Sequence, residues 1–143
     1  MQYKKIGMFY VIKIENGEEI IKNLTKFCDY KKIKGGWFFG LGGAKKIEVA
    51  YYSPSKKKYQ SSIFKNPPYE ILNINGNVAL FEKKIKVHTH IAFSDKNFKV
   101  YGGHLNEAVI SPMCEIIFTP IKSLERKMDE ETKLSILEFL QNK

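Results

Sequence analysis

Apolar and polar residues alternate along most of this chain, and only two stretches replace that rhythm with a helical spacing. Residues 9–14, Phe-Tyr-Val-Ile-Lys-Ile, read as a strand closed by the turn-forming pair Asn16-Gly17. Over residues 18–31, Ile20, Ile21, Leu24, Phe27 and Cys28 fall on one stripe of a helix, with Glu18-Glu19 at its positive N-terminal end. Gly35-Gly36 is expected to stop that helix. Strand patterns then dominate, over residues 37–41, 46–52, 59–64, 70–75, 78–82, 85–93, 98–101 and 107–118. Asn75-Gly76-Asn77 reads as a tight hairpin turn, because asparagine and glycine tolerate positive φ. A second helix is expected over residues 129–140, with Asp129 as N-cap and Leu134, Leu137 and Leu140 on its apolar face beside Ile136. Strand, helix, many strands, helix is the order of an α+β fold: a largely antiparallel mixed β-sheet with two helices packed on it.

No linker, repeat or shift in composition divides the chain, so its 143 residues, 43% hydrophobic, are expected to form a single domain around one core. No apolar run is long enough to cross a bilayer. Met1-Gln2-Tyr3-Lys4-Lys5 leads into a strand pattern without the apolar stretch of a secretory signal. Cys28 and Cys114 are too far apart for a CxxC motif and sit among apolar residues, which reads as two buried thiols in a reducing cytoplasm. The formal charge of +9 invites a polyanion as partner. Arg126, however, is the only arginine, and the lysines are scattered in short runs such as Lys31-Lys32 and Lys56-Lys57-Lys58. A solvated basic surface is therefore the favoured reading of that pattern, with a phosphate-binding face as the alternative.

Candidate chemistry gathers in one place. All three histidines lie in a short stretch, His88-Thr89-His90 and then Gly102-Gly103-His104-Leu105. Alternation puts His88 and His90 on one face of a strand, with Val87, Thr89 and Ile91 on the other. Apolar residues on both faces near the end of that strand place it centrally in the sheet. A three-residue loop at Asp95-Lys96-Asn97 pairs Ser94 with Phe98 and sets His88 opposite His104; a two-residue loop with one bulged residue at Gly102-Gly103 gives the same match. Opposed residues share a face with Cβ atoms roughly 5 Å apart, so three imidazoles are expected to converge. Three nitrogens leave a fourth tetrahedral position open, as in catalytic rather than structural zinc sites. Zinc fits best, and nickel, copper or iron also suit nitrogen ligands. The other reading of the same residues is a polar cluster without metal.

Glu70 and Glu115 stand within apolar strands and are candidates to approach the metal as ligand, as a partner to a ligand or as proton carrier; pairing at a subunit interface is the equal alternative for Glu70. Asp95 and Tyr101 lie near the cluster but need no special role. Gly40-Leu41-Gly42-Gly43-Ala44 lacks the Gly-Lys-Ser/Thr ending of a phosphate loop and precedes a strand, so it reads as a bend or bulge where another backbone comes close. Trp37-Phe38-Phe39 reads as core or subunit contact, with a base-stacking platform as the alternative.

Taken together, Gly40-Leu41-Gly42-Gly43-Ala44, Tyr69-Glu70-Ile71-Leu72-Asn73-Ile74-Asn75-Gly76, His88-Thr89-His90 and Tyr101-Gly102-Gly103-His104-Leu105 resemble the plants-and-prokaryotes-conserved (PPC) domain, over residues 10–118. The resemblance implies an α+β fold that assembles as a homotrimer. In plants this domain follows an AT-hook in nuclear DNA-binding proteins, and stand-alone prokaryotic members are described as candidate DNA-binding proteins. The AT-hook's Arg-Gly-Arg core is absent here. The fold is also similar to that of zinc-dependent acetolactate decarboxylases, which hold their metal with histidines on strands. By that likeness the ligands are His88, His90 and His104. The leading expectation is therefore a homotrimeric, metal-carrying module that binds DNA or a DNA-associated protein. The alternative is a zinc-dependent enzyme acting on small oxo-acids.

Overall fold

A computed structural model describes residues 1–66 and 68–139 of the chain. Nine strands and one helix follow in the order β1 (Gln2–Ile6), β2 (Phe9–Glu15), α1 (Ile20–Lys31), β3 (Gly36–Ser53), β4 (Lys58–Phe64), β5 (Tyr69–Phe81), β6 (Lys84–Ser94), β7 (Val100–Pro120), β8 (Glu125–Met128) and β9 (Ser135–Glu138). All strand pairs are antiparallel except β5 with β8. The α+β expectation holds as a sheet-dominated fold with a single helix among the described residues.

That helix starts at Ile20, directly after the predicted charge pair. Glu19 is its N-cap, and its carboxylate accepts from the Ile21 and Lys22 amides at 3.0 and 2.6 Å. It ends at Lys32 in the left-handed conformation (φ 55°), before Gly35-Gly36 is reached, so those glycines do not stop it. Ile20, Leu24, Phe27 and Cys28 face inward and pack in one core with Ile12, Ile14, Ile91, Phe93, Ile110 and Phe118.

Segments that read as separate strands join into long ones. Residues 37–41 and 46–52 are both part of β3, 70–75 and 78–82 fall largely in β5, and Val100 and Tyr101 of 98–101 join 107–118 in β7. β3 and β6 each pair with both β5 and β7, so these four strands form a closed cycle of hydrogen bonding. Asn75-Gly76-Asn77 lies inside β5, between β3 and β6, and is not a hairpin turn. Its glycine serves close packing: a Cβ on Gly76 would stand 2.3 Å from the His88 carbonyl oxygen and 2.7 Å from the Phe38 ring. Gly40 and Gly43 act in the same way against the Glu115 and Ser111 carbonyls, where β3 shifts register, as the bulge reading expected.

The second helix is not present in the described residues. From Asp129 the chain turns, and residues 135–138 form β9 against β8; Leu140 lies outside the described residues. The capping chemistry read at Asp129 is real but closes a loop. Its carboxylate accepts from the Thr132 amide at 2.9 Å and the Thr132 hydroxyl at 2.5 Å, while its amide donates to the Leu134 carbonyl.

Candidate metal centre

β6 and β7 bring the three histidines together. His90 is directly opposite His104, and Ser94 pairs with Val100, because the connecting loop spans Asp95 to Lys99 and not three residues. His88 therefore lies diagonal to His104 rather than opposite it. The shift is by two residues, which preserves the face, and the rings still meet. Gly102 and Gly103 pair regularly with β6 and carry no bulge there.

The ring centroids form a nearly equilateral triangle, 5.4 Å from His88 to His90, 5.2 Å from His88 to His104 and 5.4 Å from His90 to His104. One nitrogen of each ring lies within 4.8 Å of the others. Nitrogens around a tetrahedral zinc, at about 2.0–2.1 Å from the ion, stand roughly 3.4 Å apart, a distance within reach of small ring rotations. His90 is exposed, whereas His88 and His104 are half-buried. Burial pushes both of the latter down to about 4, with the Arg126 charge the next cause at His88 and the His90 ring at His104. Both rings are thus neutral near pH 7, the form that ligates metal. Nδ1 of His104 is buried without a hydrogen-bond partner. A set of three neutral imidazoles, one with an unpaired buried nitrogen, fits a divalent transition metal.

Neighbouring strands complete the surroundings. Asn75 and Asn77 on β5 pair with His90 and His88, respectively. Tyr59 on β4 lies against the His104 ring, with centroids 5.1 Å apart. Arg126 on β8 donates from Nη2 to Asn77 Oδ1 at 2.8 Å and from Nη1 to the Ser135 carbonyl at 2.6 Å. The same Nη2 is 3.2 Å from His88 Nδ1. A guanidinium has only donors, so in the metal-free protein Nδ1 of His88 accepts and the neutral ring carries its proton on Nε2. Ligation of a metal by either His88 nitrogen would displace this Arg126 contact. A pocket of about 460 Å³ opens beside His88 and His104, roofed by the residues around β9.

Glu70 and Glu115 do not join this cluster. Glu70 is exposed and pairs with Ser94, four residues along β6 from His90, roughly 13 Å at the usual strand rise. Glu115 pairs with Leu41 and Lys13 and lines a separate, apolar hollow of about 520 Å³ with Phe39, Leu41 and Leu72. Of Trp37-Phe38-Phe39, only Phe38 is core; Trp37 and Phe39 alternate outward with Leu41. Tyr101 donates to Asp95 at 3.2 Å within the loop, a local structural contact. Sequence reasoning missed Asn77, Tyr59, Lys86 and Arg126 as neighbours of the histidines. For Arg126 one signal existed, its being a lone arginine in a lysine-rich chain.

A model of the Plants and Prokaryotes Conserved (PCC) domain matches residues 1–122. No curated protein matches the chain. Among solved structures, a candidate DNA-binding protein of Bacteroides thetaiotaomicron is 29% identical, with 96% of each chain covered and a TM-score of 0.92. A plant- and prokaryote-conserved protein of Pyrococcus horikoshii is 27% identical over 99% of this chain and 97% of that one, with a TM-score of 0.86. A metal-containing protein of Archaeoglobus fulgidus is also 27% identical, over 97% of this chain and 99% of that one, with a TM-score of 0.86. The acetolactate decarboxylase of Bacillus subtilis shares the fold alone, at 17% identity and a TM-score of 0.52, covering 79% of this chain and 52% of the enzyme.

Proposed function

Because this chain belongs to the Plants and Prokaryotes Conserved domain family, we propose that it is a homotrimeric binding module. In this reading it holds a divalent transition metal, zinc, on His88, His90 and His104, and its partner is DNA or a DNA-associated protein. The triangle of imidazoles carries the metal reading, and the Archaeoglobus relative called metal-containing supports it. Bound there, the ion supplies an open coordination position and positive charge. Asn77 holds the Arg126 guanidinium beside His88, whose contact with it the metal would replace, and Tyr59 packs against the His104 ring.

The DNA reading is supported by the relatives described as candidate DNA-binding proteins and by the formal charge of +9. Homotrimer assembly is supported by the apolar face that Trp37, Phe39 and Leu41 leave on β3. No helix among the described residues is long and apolar enough to cross a membrane. The two buried free thiols, Cys28 and Cys114, suit a reducing compartment, and the cytoplasm is the proposed location.

A zinc-dependent enzyme acting on small oxo-acids is the second reading, and the pocket beside His88 and His104 favours it. Against it, no aspartate or glutamate lines that pocket among the described residues, which leaves a general acid–base step without a carboxylate. The DNA partner is tested by titrating duplex DNA at rising salt. Affinity is expected to fall steeply as counterions compete. No binding even at low salt contradicts a DNA partner.

A further inference from the structure

The pocket beside the histidines carries two positive side chains, Arg126 and Lys86, that stand in no ion pair among the described residues. Arg126 is only 8% exposed, yet each of its hydrogen-bond partners, Asn77, the Ser135 carbonyl and the His88 ring, is neutral. Its Nε is buried without any partner. Lys86 lines the same pocket, and its ammonium lies 4.9 Å from the centre of the Phe81 ring. Lys133, also at the wall, is already paired with Glu130 at 2.6 Å. A guanidinium so buried is costly without a counter-charge, because neutral acceptors satisfy its hydrogens but not its charge.

We propose that Arg126 and Lys86 form a binding site for a small oxyanion, a carboxylate or a phosphate ester, inside this pocket. Nη1 engages only one of its two hydrogens, toward the Ser135 carbonyl, so the other hydrogen and the guanidinium charge are what Arg126 offers an oxyanion. About 460 Å³ falls within the range of small-molecule sites. Apolar side chains of Met128, Leu134 and Leu137 line the wall, so the ligand has an apolar part as well as an anionic one. The recess also separates this site from nucleic-acid backbone recognition, since a side chain 8% exposed does not reach phosphates on a convex duplex. The site stands on the burial and charge of Arg126 and requires no ion among the histidines, so it succeeds or fails separately from the metal reading.

The test uses the full chain freed of metal by chelation, at constant ionic strength. Inorganic phosphate and pyruvate serve as probes for the phosphate and carboxylate sources, with binding followed by calorimetry. At least one probe is expected to bind saturably, one per chain. Arg126→Gln is expected to weaken it about tenfold or more, the scale of one charge-assisted bond. Lys86→Gln, an exposed side chain whose loss does not threaten folding, is expected to weaken it severalfold, and Lys22→Gln, exposed on α1 outside the pocket, to leave it unchanged. Absence of saturable binding by both probes overturns the proposal, as does equal binding by wild type and Lys86→Gln. Displacement of the bound probe by a short DNA duplex also overturns it, by assigning the site to nucleic-acid phosphate.

Discussion

His88 and His104 make the metal-free protein sensitive to acid. Both rings are held down to about 4 by burial, against an ordinary value near 6.5 in the unfolded chain. Between those values the unfolded chain binds more protons than the folded one, so stability falls as pH falls. The contribution of the neutral rings is fully present above about pH 6.5 and is lost as pH approaches 4, a loss of order a few kcal/mol at most for the pair. Urea unfolding of metal-free protein over this range is expected to show that decline, and the His88→Gln, His104→Gln double variant to show much less of it. An unchanged pH slope in the variant contradicts the assignment. The histidines were legible in sequence because alternation fixes a face, and the two-residue error in pairing left the face unchanged. Arg126 was not legible: its side-chain partners Asn77 and His88 stand 49 and 38 residues away. The carboxylates misled for the same reason, since alternation gives a face but not a position along it.

At the scale of elements, glycine and asparagine were read as punctuation where they serve close approach. Asn75-Gly76-Asn77 has the composition of a hairpin turn, but β5 runs straight through it with neighbours on both sides. Gly76→Ala is expected to destabilise the protein by about 2 kcal/mol or more, because its methyl group meets the His88 carbonyl and the Phe38 ring. Equilibrium unfolding in denaturant measures this, and a stability equal to wild type contradicts the packing account. The C-terminal segment misled differently. Leu134, Ile136 and Leu137 satisfy a helical stripe, and Asp129 is a good cap, but four residues of β8 with an unpaired edge took Ser135–Glu138 as a partner strand. That choice positions the pocket wall and buries Arg126, so the element least readable in sequence shapes the candidate site most.

For the molecule as a whole, the closed cycle of β3, β5, β6 and β7 fixes both the histidine face and the apolar face. Phe39 and Leu41 are 58% and 56% exposed in the single chain, beside an apolar hollow of about 520 Å³. Such a patch is covered when subunits associate. The Phe39→Lys, Leu41→Lys variant is expected to be a folded monomer in analytical ultracentrifugation where wild type is a trimer; a monomeric wild type contradicts the assembly. The central claim concerns the ion, and elemental analysis tests it most directly. After equilibration with zinc and dialysis, wild type is expected to retain one ion per chain, and a folded His90→Ala, His104→Ala variant none. Wild type that retains no more metal than that variant contradicts the account.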